Sequence, residues 1–538
     1  MTLAALDYAV IGLYVLAMIA IGFISTRFAK ERDDYLLAGR RLGFPLFFGC
    51  MAAMAVGGAV TVGGAQKGYT IGIAGLWVGG SLGLGLILLG VLISSKLSRL
   101  RALSINEVIE RNYGAAARLL GAVLTIIYTV SLTVVQVVAM GSILSQIFGW
   151  ESTTAMLVGG GVVVFYTFLG GMWAVTMTDI VQFIVKTLGI MILVPIFALA
   201  SPKIGGLSGL TANVPAGHWD PWAFGFSGTL YWILLYVPGL VIGQDIWQRM
   251  FTARNEKIAR TGTILAGVYS ILYGLAAVLL GVAVLAAGIT VAKPSQTFAT
   301  GVEAFLPQGL AGLLLAAAMA AAMSVASGTI LACSTVVYND IYLRLFRGIR
   351  TADVEAAADD RVREAVLQDV DRSALHGSAL DRHLDSAHAH DGHVARDVWI
   401  NRGIALAIGV VVIALAIAIE DIFKALDLAY GFLSGCVFVP VIAAFFLRKV
   451  SPKAGLYSLL FSMLGVAGAM WFGESGKAAD AFGKVAGADW MIGGNYPIMV
   501  GMAIGIVVYV VFHLSDGHKR PANLDVDEAA MLELPAES

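Results

Sequence analysis

Apolar runs long enough to cross a bilayer recur thirteen times along this chain, at roughly 7–29, 44–70, 73–95, 115–148, 153–175, 179–200, 222–250, 261–287, 308–342, 398–419, 422–447, 454–473 and 494–514. A helix needs about 20 apolar residues to span the hydrocarbon core, and no soluble fold buries that many such segments in 538 residues. Only 13% of the residues are charged, against about 25% in soluble domains. A transmembrane barrel would show alternating segments of about ten residues, so the reading is an all-α integral membrane protein of about 13 helices. The start, "MTLAALDYAV", lacks a basic region and reads as a retained helix rather than a signal peptide. Cys50, Cys333 and Cys436 fall inside apolar runs and read as small buried hydrophobes, with neither a disulfide framework nor a metal cluster implied.

Thirteen spans leave the termini on opposite sides, and loop charge chooses between them. With the N-terminus outside, the outer loops hold five basic residues, Lys203, Lys293, Lys424, Lys477 and Lys484. Nearly all the others flank the inner loops, which by the positive-inside rule puts the N-terminus outside, the C-terminus in the cytoplasm and the chain in the cell membrane. Lys67 and Lys186 remain inside spans.

The long cytoplasmic segment 343–397 carries His376, His383, His388, His390 and His393. Their spacing fits no closed zinc pattern, so the segment reads as a solvated loop with one surface helix at "VEAAADDRVREAVLQDVDR", or alternatively as a pH or metal sensor. The acidic tail 515–538 is too short for a catalytic domain. No nucleophile–base pair, phosphate loop or metal cluster stands out, which speaks against an enzyme. Nothing points to nucleic acid or an obligate protein partner; the partners expected are a small-molecule solute and the bilayer.

Two spans read as discontinuous. Span two carries Gly57, Gly58, Gly63 and Gly64 at mid-membrane, and span seven carries Pro238 and Gly239. They lie five spans apart, at matching positions of two five-helix halves. Paired interruptions of this kind point to a transporter site built from unwound backbone, because lipid excludes such backbone unless it faces protein or a cavity.

Four motifs then resemble one family in the expected order: "DYLLAGRRLG" (34–43), "GGMWAVTMTDIVQ" (170–182), "GQDIWQRMFTARN" (243–255) and "AAAMSVASGTILACSTVVYNDIY" (320–342). The resemblance is to the sodium:solute symporters and covers about 7–514. It implies the leucine-transporter type of fold, a 5+5 inverted repeat with discontinuous spans two and seven. The layout expected is a flanking helix (1–30), a first repeat (44–200), a second repeat (222–447), two further flanking helices (454–514) and the tail. Sensors on this fold append a signalling kinase, which the tail does not resemble.

The resemblance also implies a sodium site between spans two and nine, with carbonyls from Ala53, Val56 and Ala321 and two adjacent hydroxyls. In this chain the hydroxyl positions are Ser324 and Val325. Sodium is a hard cation that needs oxygen ligands, as others do, and valine offers none. Lys186 lies in span six, which in the family runs beside that site, and seven residues after Asp179. That spacing is about two turns and puts both on one face, roughly 10 Å apart. An intramembrane lysine is costly and calls for a function and a partner. The expectation is that the Lys186 ammonium substitutes for sodium, as a lysine does in proton-coupled members of the wider fold class. Leaving water disfavours the charged form, so such a lysine can load and release a proton. The coupling ion is then H+, with no other cofactor. The alternative is sodium symport through a weakened site using Ser324 and Asp179.

Candidate substrate contacts are Gly57, Gly58, Gln66, Lys67, Tyr69, Gln136, Tyr231, Trp232 and Tyr430, with Asp427 as a further polar residue in a core span. Lys67 tilts the expected solute toward a monocarboxylate. Asp245, Arg249 and Asp340, at cytoplasmic helix ends, read as fixing gates and loops.

Overall fold

The computed structural model describes residues 3–28, 32–38, 42–100, 102–346, 378–474 and 496–522. Apart from a two-residue antiparallel ladder joining Lys449–Val450 to Arg520–Pro521, their regular structure is helical. Ten helices are long and apolar enough to cross a membrane, and a pair bent by 42°, Gly228–Ile242 with Gln244–Met250, makes an eleventh span. Two of the ten contain turns in which the chain reverses. Gly171, at φ 54° and ψ −137°, separates spans five and six inside Ser152–Lys186. Gly72, at φ 77°, and a short 3-10 turn separate the second half of span two from span three, Leu76–Leu92. Counted with those reversals, and with Phe44–Ala55 joined to Gly58–Ile71, the described chain makes thirteen passes, the number read from the sequence.

Gly171 illustrates why the reversal falls where it does. Its dihedrals lie in a region open to glycine and strained for other residues. A Cβ there would also meet the Tyr35 carbonyl and ring. Span six then runs from Gly171 through Lys186 into a π-helical stretch, Thr187–Leu193, and on through Val194–Ala200. Wide turns of this kind concentrate at functional sites.

Span two is two helices. Phe44–Ala55 stops at Val56 (φ −123°, ψ 106°), and Gly57 is also extended (φ −100°, ψ −168°) before Gly58–Ile71 begins. The amide orphaned at the new helix start, Gly58 N, donates to Gln136 Oε1 of span four at 2.9 Å. Span seven breaks as well, but not at Pro238–Gly239 as the sequence suggested. Pro238 lies inside the helix Gly225–Ile242, and the interruption comes at Gly243 (φ −63°, ψ 125°). Pro238 is tolerated where it is: the Ser434 hydroxyl donates to the neighbouring Leu235 carbonyl, and the Tyr430 ring lies against Gly239. Spans two and seven are five passes apart, an odd number, so equivalent helices run in opposite directions.

One end of the bundle is tied by backbone. Leu42, before span two, pairs with Thr252 and Arg254, after span seven, through two amide–carbonyl bonds of 3.0 Å. The stretch 354–372 and His376 lie outside the described residues. Of His383, His388, His390 and His393 only the backbone is described, within the helix Ser378–Ile419.

Candidate functional site

Lys186 is fully buried, and its ammonium does not reach back toward Asp179. Nζ donates to the carbonyl oxygens of Ala53 (2.5 Å) and Val56 (3.2 Å) and to Ser324 Oγ (3.1 Å). An ammonium has three donors, and three oxygens meet it. Both carbonyls come from the end of the first half of span two, where the helix stops and its last carbonyls lose their intrahelical partners. Ser324 is within donating distance of Ala53 O (2.9 Å) and of Ala321 O (3.2 Å). The expected ion-site residues thus converge, with Ala321 reaching the cluster through Ser324. Val325 Cγ2 instead faces Gly57, on the cavity side of the break.

Asp179 stands apart from this cluster. Its Oδ2 accepts from Arg249 Nη2 at 2.9 Å, both groups being buried, and Oδ1 has no partner. Arg249 comes from the short helix after the break in span seven, and its guanidinium occupies the room left by Gly328, where a Cβ would sit 2.5 Å from Nη1. The Asp179 carboxylate is therefore held by an arginine one layer below Lys186, as part of the closure of that end.

The two helix breaks line a single cavity of about 30 Å³, bounded by Gly57, Ala59, Gln136, Val325, Tyr430 and Asp245 among others. That volume holds water rather than an organic solute, so the helices must part before one binds. Of the expected substrate residues, Gly57, Gln136 and Tyr430 line it, and Gly58 is bonded to Gln136 beside it. The others do not. Tyr69 accepts from Val291 N and donates to Ile289 O in the loop after span eight. Gln66 is half-buried on the second half of span two, away from the cavity lining. Lys67 stands off the rings of Phe423 (5.3 Å) and Phe224 (6.0 Å), and Trp232 packs against both. Tyr231 donates to Asp427 at 2.5 Å. Together these residues form a polar-aromatic plug on the side of the cavity remote from Leu42. The sequence did not separate them from the cavity residues, because a polar residue in a span marks a wet path without saying how far along it the residue sits.

The end of the bundle near Leu42 is sealed by charge. Asp340 accepts from Ser104 (2.9 Å), Asn106 (2.8 Å) and Arg118 (2.5 Å). Arg118 also pairs with Glu110, which accepts from Arg344 at 2.6 Å. Gln244, next to the break in span seven, takes the amide of Ile105 (2.8 Å) and donates to Leu103 O (3.1 Å). This fixes the short helix Ile105–Tyr113 across the mouth. Burial pushes the Glu107 carboxyl above its usual range, although Arg118 opposes that. Asp245 and Arg249 sit in the short helix Gln244–Met250, near helix ends as read from the sequence, whereas Asp340 lies inside the π-helical continuation Val337–Phe346 of span nine rather than at a helix end. Asp245 also lines the cavity, which sequence reasoning missed because the break was assigned five residues too early.

Known proteins with the same signatures decide the family. The profile of the sodium:solute symporter family matches residues 35–366, more than half of the chain. The chain belongs to the sodium:solute symporter family. High-affinity choline transporter 1 of Caenorhabditis elegans is 29% identical over 44% of this chain and 40% of its own length. The human sodium/iodide cotransporter is 28% identical over 49% of this chain and 43% of its own. The matched part thus spans under half the length of these two relatives. A sodium/proline symporter of Haemophilus influenzae is 26% identical over 62% of this chain and 70% of its own. A sodium-coupled sialic acid symporter, solved substrate-bound and outward-open, superposes with a TM-score of 0.70 at 17% identity, over 96% of this chain and 99% of that one. At that identity the likeness shows the fold, which is the leucine-transporter type. This family member is a multi-pass membrane protein.

Proposed function

We propose that this symporter-family chain is a secondary active transporter that moves a small organic solute by alternating access and runs without sodium, with Lys186 in the place of the ion. The observation that carries the reading is the triad of oxygens around Lys186 Nζ, drawn from Ala53, Val56 and Ser324. A cation already occupies the ligand set, and the sequence offers a valine where a second hydroxyl would help bind sodium. In this account the proton on Lys186 is the coupling ion. With the charge present, the ammonium holds span six to the break in span two and to span nine. With the charge lost, the carbonyls lose their strongest donor and the bundle is freer to rearrange. The site lies between repeats 44–200 and 222–447, and the positive-inside rule supports a cell-membrane orientation with the N-terminus out and the C-terminus in.

The relatives named as sodium symporters and cotransporters favour a second reading, sodium symport through the oxygens of Ala53, Val56, Ala321 and Ser324 after Lys186 swings away. On either reading a carboxylate-bearing solute is favoured by the first turn of Gly58–Ile71, where Ala59 and Val60 line the cavity at the positive end of the helix, the Gly58 amide itself being taken by Gln136. Lys67, which does not line the cavity, gives no support to a monocarboxylate. The test is uptake into proteoliposomes with a pH gradient or a sodium gradient imposed separately. Accumulation should follow the pH gradient and ignore sodium; uptake that needs sodium and ignores pH would assign the second reading.

A further inference from the structure

Asp245 is a buried carboxylate at the break in span seven, 2% exposed, and it lines the cavity shared with the start of the second half of span two. Its Oδ1 accepts from the Tyr128 hydroxyl at 2.8 Å. Among the described residues no Lys, Arg or His nitrogen comes within ion-pair distance of it. Arg249, one turn on, touches Asp245 only at the backbone carbonyl (3.4 Å) and gives its Nη2 to Asp179. A buried carboxylate without an ion-pair partner is expensive even where a hydroxyl and helix-start amides donate to it, and a cation in the cavity would complete it. Around it stand aromatic rings: Tyr430 lies edge-on to Tyr128 (5.4 Å) and to Tyr236 (5.2 Å), and both Tyr236 and Tyr430 line the cavity. A carboxylate set among tyrosines is the chemistry that recognises a cationic nitrogen, by charge and by cation–π attraction.

We infer that Asp245 determines specificity by holding a cationic nitrogen of the solute, so that the transported class is a small zwitterion with a carboxylate at the start of Gly58–Ile71 and an ammonium or iminium group at Asp245. This rests on the transport reading above and narrows its solute. Asp245 binds the solute, and Tyr128 positions its carboxylate.

The experiment measures binding to the full-length purified protein by thermal shift, since a ligand of the native state stabilises it by mass action. The probes are matched triads on several carbon skeletons, such as L-alanine, propionate and ethylamine, or L-proline, cyclopentanecarboxylate and pyrrolidine. In the unsubstituted protein at least one zwitterion should bind more tightly than its carboxylate and its amine. Asp245→Asn, close in size, should weaken that zwitterion about 30-fold, the loss expected when a buried charge pair loses one partner, while leaving the matched carboxylate unchanged. Tyr128→Phe should weaken it less and in the same order of preference. The inference is overturned if a carboxylate binds as tightly as its zwitterion, if Asp245→Asn keeps the preference, or if no triad member binds. It is also overturned if Asp245→Asn removes a response to sodium and leaves solute preference intact. Uptake separates the two readings: pH-driven accumulation of a carboxylate by Asp245→Asn would leave the transport reading standing and remove this one.

Discussion

Ser324 accepts from Lys186 and can donate its own O–H to Ala53 O, so a single hydroxyl joins spans six, two and nine. Its neighbour Val325 turns its methyl toward Gly57 and adds no oxygen. On the proposed reading the lysine at 186 and the absent hydroxyl at 325 belong together. They can be reversed together. The double variant Lys186→Met with Val325→Ser should acquire a sodium-specific rise in melting temperature, measured in NaCl against KCl, while the unsubstituted protein shows none. Absence of any sodium response in the double variant would mean that the oxygens alone do not make the site. The missing hydroxyl at 325 was legible as a departure from the residue type that the resemblance implies, and Lys186 as a costly charge inside an apolar span. The partner of Asp179 was not, since nothing in sequence spacing puts Arg249, seventy residues on, beside it.

At the scale of single helices, the interruptions decide what the spans can do. On the far side of the break in span two from Lys186, the Gln136 side-chain oxygen takes Gly58 N. Gln136→Leu leaves that buried amide unmet and should cost about 1–3 kcal/mol, read as a lower unfolding midpoint; an unchanged midpoint would mean that water or rearranged backbone satisfies the amide. Gly171→Ala should be destabilising by a similar margin, because a side chain there meets Tyr35 in a backbone region strained for alanine. Long apolar runs and the existence of paired breaks could be read from the sequence, since hydropathy and clusters of glycine report them directly. The position of the second break could not. Proline suggests an interruption, yet here the packing of Tyr430 and Ser434 keeps the helix through Pro238 and moves the turn to Gly243. Tertiary contacts overrode local propensity.

Across the whole molecule the cavity is closed at both ends by unlike materials. Rings and Lys67 plug the side proposed as outer, and the network around Asp340 and Arg118 seals the side proposed as cytoplasmic. Alternating access requires one to open while the other holds. Asp340→Asn removes the charge that gathers Ser104, Asn106 and Arg118, so the population should shift toward opening at that end. A cysteine at Leu132, which lines the cavity, in a background with Cys50, Cys333 and Cys436 replaced by serine, should then react faster with a membrane-impermeant thiol reagent from that side. Equal rates with and without Asp340→Asn would show that the network is not what holds the mouth. The long apolar runs made the thirteen passes legible. How far each polar residue sits along the path depended on packing between distant spans, which one chain's pattern does not encode.

The central claim is that the charge on Lys186 couples solute movement to protons. Its most direct measurement compares the unsubstituted protein with Lys186→Met in the same proteoliposomes, recording solute accumulation driven by a pH gradient beside solute exchange at equal concentrations. The account predicts that accumulation is lost in the variant while exchange persists. Accumulation in Lys186→Met with unchanged dependence on the pH gradient would contradict it.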